Sequence, residues 1–162
     1  MADEALPEDC QDSLRDSRLS RLLDYWRMRS ADAAMPLPSA IDPVDFAYIL
    51  GYITLVDVEA APRRYRYRLD GSNLARISGI DYTGRYQDEL GMPEYTRFVA
   101  ASYDRVVETG QPYAHRTASE LDRKPIAQET LILPLGEGET VTRLIVAVIP
   151  DDRPLERGNQ LI

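Results

Sequence analysis

Chemistry in this chain would have to start from very few reactive side chains, because its 162 residues include one histidine, His115, and one cysteine, Cys10. A single histidine excludes a two-histidine metal site. A single cysteine excludes an internal disulfide and a multi-cysteine metal centre. The sequence contains no Gly-x-Ser-x-Gly, no His-Glu-x-x-His and no phosphate-binding glycine loop, so neither an activated nucleophile nor a metal-bound water has a recognisable frame. The carboxylates Asp122, Glu129, Glu137 and Glu139 gather near the last hairpin and read as solvated turn residues rather than an acid and base pair. The expectation is no enzyme, with no catalytic residue and no metal ligand.

The densest cluster of charge is "RRYRYRLDGSNLARISG", Arg63 to Gly79, where five arginines surround two tyrosines and an Asp-Gly corner. A phosphate grip is one reading of it. The chain as a whole carries a net charge of -8 with an isoelectric point near 4.7, and such a field repels phosphate at long range. On a strand, period two puts Tyr65, Tyr67 and Leu69 on one face and Arg66, Arg68 and Asp70 on the other. The arginines would then lie over the second face, with Asp57 and Glu59 as counter-charges, so no nucleic acid is expected. The N-terminus, "MADEALPEDCQDS", lacks the charged-then-apolar order of an export signal. No apolar run approaches a membrane span, so the cytoplasm is the expected location and a membrane is not an expected partner.

The elements that must position any site follow from periodicity. Residues 1–16 are polar and acidic and read as a flexible tail, 17–150 as one domain, and 151–162 as a C-terminal tail. In "SRLSRLLDYWRMRS", Leu19, Leu22, Leu23 and Trp26 fall on one helical face, with Trp26 as the packing anchor. Asp42 followed by Pro43 opens a short helix to about Leu50, stopped by Gly51. "YITLVDVE" and "YRYRLD" read as one hairpin, "IAQETLILPL" and "RLIVAVIP" as another, and "QPYAHRTAS" as a fifth strand. Between the hairpins lie a short helix over Ser72 to Ile77 and a longer one from Glu94 to Thr109, closed by Gly110. The last two strands are apolar on both faces, so the second face needs a cover, either the Trp26 helix or a neighbouring subunit.

In their order, "LLDYWR", "IDP", "YITLVDVE", "RYRYRLDGSNLARISGIDYTGRYQDEL", "VVETGQP" and "LILPL…GETVTRLIVAV" resemble the PAS-like domain family of small, mostly uncharacterised alphaproteobacterial proteins. The similarity runs from Leu19 to Ile149. It implies an α+β fold with a five-stranded antiparallel sheet, helices on one face and the N-terminal helix covering the other, around a cavity. Relatives that carry haem or a thiol-linked flavin need a helical axial ligand or a cysteine in the helix that corresponds to "GSNLARISG". His115 falls on a strand and Cys10 in the tail, so no cofactor is expected.

If that fold holds, a ligand pocket would be bordered by Tyr67, Leu69, Leu74, Ile77, Tyr82, Phe98, Tyr103, Leu131 and Leu133. A partner or dimer surface would be formed by Leu19, Leu22, Leu23, Trp26, Ile132 and Ile145. The leading functional expectation is a single-domain sensory or regulatory module that binds a signalling partner protein or a second copy of itself. The alternative is a metabolite sensor with a small molecule between the sheet and the long helix.

Overall fold

A computed structural model of the chain describes residues 13–151 and, by its strand pairing, Ala2–Ala5. Along the chain run β1 (Ala2–Ala5), α1 (Ser17–Ser30), β2 (Ile53–Glu59), β3 (Arg64–Asp70), α2 (Ser72–Ser78), α3 (Pro93–Thr109), β4 (Tyr113–Leu121), β5 (Lys124–Glu137) and β6 (Thr140–Pro150). All strands pair antiparallel, in the spatial order β1-β4-β5-β6-β2-β3. The five expected strands are present with α2 and α3 on one face and α1 on the other. No helix among the described residues is long and apolar enough to cross a membrane.

The N-terminal region departs from the expected tail. Ala2–Ala5 pairs with β4 as a sixth strand, from Ala2 opposite Ala118 to Ala5 opposite His115. Just before α1, the backbone N–H groups of Arg15 and Asp16 both donate to the Glu129 carboxylate at 2.9 Å. Arg116 completes the arrangement, donating to the Ser13 carbonyl at 2.7 Å and pairing with Glu129 at 3.2 Å. Glu129 is therefore no turn residue: it sits mid-strand on β5, buried opposite Arg116, because period two aims it at α1. Cys10 and residues 152–162 lie outside the described residues.

Helix α1 is capped by Asp16, whose side chain accepts from the Arg18 N–H, and carries Arg27 and Arg29 in its last turn, where cations favour the carbonyl end. Leu19, Leu22, Leu23 and Trp26 all point inward and are buried. Strand register places them over Leu131, Leu133 and Leu135 of β5 and Ile145 of β6, which share one sheet face. Each fully buried leucine contributes roughly 1.5–3 kcal/mol of apolar transfer, so this layer is a main stabilising unit. The indole N–H of Trp26 donates to the Pro134 carbonyl at 2.8 Å, which satisfies the one polar atom the ring would otherwise bury.

The helix expected over Pro43 to Leu50 forms as two 3₁₀ turns instead, Pro43–Phe46 and Leu50–Tyr52. Asp42 does cap it, accepting from the Val44 N–H at 3.0 Å, but the bonds that follow are of the tighter i to i+3 kind. Gly51 is no stop there. It marks the place where the chain crosses Gly71, whose missing Cβ would stand 2.4 Å from the Gly51 carbonyl oxygen.

The arginines of the opening cluster are engaged within the chain. Arg64 grips Asp88 through two bonds of 2.8 and 2.7 Å and stacks 3.6 Å from the Tyr86 ring centre. Arg68 and Arg143 converge on Asp57, Arg63 reaches Asp104 and Glu108, and Arg66 donates to the Gly84 carbonyl.

Candidate functional site

One feature of β3 decides what lines the interior. Val56 pairs with Tyr67 and Leu55 with Leu69, so Arg68 is an extra residue, a β-bulge. Alternation is reset there. Tyr65 and Tyr67 face α3, Leu69 turns to the α1 side with Leu55, and Asp70 returns to the α3 side opposite Thr54.

On that side a cavity of about 540 Å3 opens between the sheet, α2 and α3. Its sheet wall is Thr54, Tyr67, Asp70, Gln128, Val146 and Val148, α3 contributes Tyr95, Val99 and Tyr103, and α2 contributes Leu74 and Ile77. Ile80 and Tyr82, after α2, and Lys124, at the β4–β5 turn, complete its mouth. That turn is held against the start of α3: Asp122 accepts from the Glu94 and Tyr95 N–H groups at 3.2 and 2.9 Å. Asp122 is thus a helix cap and not merely a solvated turn residue.

The polar residues that line it are Thr54, Asp70, Ser78, Gln128, Lys124 and four tyrosines. Burial pushes the Tyr67 and Tyr103 hydroxyls well above their ordinary range. Burial does the same to Tyr95. Asp70 accepts from the Thr54 hydroxyl at 3.3 Å and the Tyr82 N–H at 3.1 Å, and desolvation raises its carboxyl above the usual value despite those bonds.

Of the expected pocket residues, Tyr67, Leu74, Ile77, Tyr82 and Tyr103 line this cavity. The other four do not. Leu69 is turned away by the bulge, and Leu131 and Leu133 belong to the face packed on α1, since period two puts Thr130 and Ile132 on the α3 side. Phe98 packs further along, its ring 5.3 Å from that of His115. Asp70, Tyr95 and Val99 were missed by sequence reasoning. Tyr95 and Val99 continue the Tyr103 stripe at four-residue steps and were legible in principle, whereas Asp70 was hidden by the bulge.

The expected partner surface is also corrected. Leu19, Leu22, Leu23, Trp26 and Ile145 are buried against one another within the chain, and Ile132 faces α3. The cover that the second sheet face requires is α1 itself.

A PAS domain family model matches residues 14–149. The chain belongs to the PAS domain family. It is accordingly a sensory or signalling module in the general sense of that family, and its cavity occupies the interior of the PAS fold. No curated protein matches it. Among solved structures it is similar to that of an RNA-binding Light-Oxygen-Voltage receptor, at 20% identity and a TM-score of 0.42, over 70% of this chain and 34% of that one. The match thus spans about a third of that receptor chain.

The cavity does not fit a haem held by a histidine or a flavin linked to a cysteine. Among the described residues no histidine or cysteine lines the cavity. His115 lies on β4, buried between Phe98 and Tyr113, with its Nδ1 3.1 Å from the Thr117 hydroxyl, so its ring serves packing. Among the described residues no group of three His, Cys, Asp or Glu side chains could hold a metal ion.

Proposed function

We propose that this PAS domain is a non-enzymatic, cytoplasmic small-molecule sensor whose ligand fills the cavity between the sheet, α2 and α3. The observation that carries the reading is the state of α2. This seven-residue helix has no buried residue, although Leu74 and Ile77 both face the cavity. Ile77 is 60% exposed and Ile80, just beyond the helix, 42% exposed. A helix this short gains little from propensity and depends on burying an apolar face. A ligand supplies the missing contacts, so binding tightens α2 against the sheet and converts occupancy into a change of surface.

Native mass spectra of the purified chain are expected to show an added mass that unfolding releases. Val99→Trp, which projects an indole from α3 into the same space, is expected to lack it. A bare chain mass in both proteins, with hydrogen exchange over residues 72–80 unaltered by a metabolite extract, would overturn the reading.

A second reading, in which the module acts chiefly by association with a partner or a second copy, is supported by two exposed apolar side chains. Met28 is 65% and Val44 78% exposed, each next in sequence to one member of the Arg29–Asp45 ion pair that ties α1 to the following loop. Sedimentation of wild type and of the Met28→Ser, Val44→Ser double variant tests it. A dimer that the double variant loses supports the second reading, and a monomer in both removes its self-association form.

A further inference from the structure

We propose that the ligand is an organic ammonium ion with an apolar body, its head seated among the rings of Tyr67, Tyr82, Tyr95 and Tyr103 beside the Asp70 carboxylate. This rests on the sensor reading above and names the chemistry of the occupant.

The first support is the composition of the wall. Four tyrosines and one carboxylate line the same cavity. Tyr67 and Tyr82 have ring centroids 6.1 Å apart, inclined at 52°, and Tyr95 and Tyr103 line the same cavity from one face of α3. An aromatic face carries partial negative charge, and several such faces around one acid form the environment that attracts an alkylammonium group in preference to a neutral or anionic one.

The second support is Asp70. Its two bonds, from the Thr54 hydroxyl and the Tyr82 N–H, fix the carboxylate and use two of about four acceptor positions. No ion pair to Asp70 occurs among the described residues, while Asp57, Asp88 and Glu129 each hold an arginine. A half-buried carboxylate without a counter-ion is costly, and a cationic ligand removes that cost.

The third support is the distribution of cations. Among the described residues no arginine or histidine lines the cavity, and Lys124, the chain's only lysine, is exposed at its mouth. An anion entering would meet the acid and the ring faces with no buried positive group to receive it. The aliphatic remainder of the wall, including Leu74, Ile77, Leu90 and Val99, suits an apolar body. The net charge of -8 raises the local concentration of cations around the whole molecule.

The test uses the full chain and three benzyl probes, the isosteric pair benzyltrimethylammonium and neopentylbenzene and the anion phenylacetate, each titrated with detection by ligand-observed NMR. Benzyltrimethylammonium is expected to bind about tenfold or more tighter than neopentylbenzene, with phenylacetate weakest. Asp70→Asn and Tyr82→Leu should each weaken the cation by about tenfold and leave neopentylbenzene unchanged. Tyr82→Leu keeps the backbone N–H that holds Asp70, and it carries the test if Asp70→Asn does not fold. Equal binding of the three probes, tighter binding of phenylacetate, or cation binding that survives both substitutions would overturn the ammonium assignment and leave the sensor reading standing. Failure of all three to bind the folded protein would overturn the ammonium assignment, and the sensor reading falls with it only if the native mass spectra and hydrogen exchange fail as stated above.

Discussion

Replacing Trp26 by alanine tests whether α1 is a structural layer of this domain or a docking element. The indole is 6% exposed and packs between α1 and the β5–β6 face, with its N–H on the Pro134 carbonyl at 2.8 Å. A buried tryptophan removes about 200 Å2 from water, which at roughly 25 cal/mol per Å2 amounts to about 5 kcal/mol before the alanine that remains is subtracted. Measured truncations of this kind cost about 3–5 kcal/mol, and losing the hydrogen bond adds about 1 kcal/mol within that range. For a chain of this size the loss should lower the melting temperature by about 10 °C. Trp26→Phe retains most of the packing and loses the donor, so it should cost about 1–2 kcal/mol. Since Trp26 is the only tryptophan, urea unfolding must be followed by far-UV circular dichroism rather than intrinsic fluorescence. A loss below about 1 kcal/mol for Trp26→Ala would refute the assignment of α1 to the core. So would a full-sized loss that appears only at concentrations where wild type is a dimer, because the indole would then be packing between chains.

Three further outcomes follow from the same contacts. Val99→Trp should leave the unliganded protein within about 1–2 kcal/mol of wild type, since the indole enters open space, and should abolish retention of any cavity ligand in native mass spectra. Asp70 has its carboxyl raised in the fold by desolvation, so ionising it disfavours the folded state. Denaturation at a series of pH values should show Asp70→Asn gaining on wild type as pH rises from the ordinary 3.8 through the raised value, and the reverse trend would contradict the burial argument. Asp16 has its carboxyl held below 3.8, chiefly by its bond to the Arg18 side chain, and it caps α1. Asp16→Ala should cost about 0.5–2 kcal/mol at neutral pH, and the difference should vanish as pH falls through the lowered value of that carboxyl.

The fold was legible where pattern is local. The α1 stripe of Leu19, Leu22, Leu23 and Trp26, the Gly110 stop of α3 and the two-sided apolar strands β5 and β6 follow from periods of 3.6 and 2 and from the left-handed backbone at Gly110, φ 66°. The interior was less legible, because which face a strand residue occupies depends on register. One extra residue at Arg68 sent Leu69 out of the cavity and brought Asp70 into it. Leu131 and Leu133 were assigned to the wrong side for a related reason: both faces of β5 are apolar, so composition cannot say which one meets α1. The β4–β5 turn was hidden as well, since Asp122 and Arg123 both adopt positive φ without a glycine or asparagine to announce it. The pairing of Ala2–Ala5 with β4 depends on a long-range contact that its own four residues do not encode.

The ends of the sheet bear on how the protein behaves at high concentration. A strand with unpaired backbone groups is a template on which another chain can polymerise. Along the outer side of β3, the Tyr67 N–H donates to the Arg85 carbonyl at 2.9 Å and the Gly84 N–H to the Tyr67 carbonyl at 2.7 Å, so the loop after α2 occupies those positions. At the opposite end β1 covers part of β4 with only four residues, a length that offers little to a growing filament. The arginine cluster on β3, first met as a candidate phosphate grip, adds charge along that border. Both margins of the sheet therefore discourage strand-by-strand growth, and the domain gains colloidal protection from the strands at its limits.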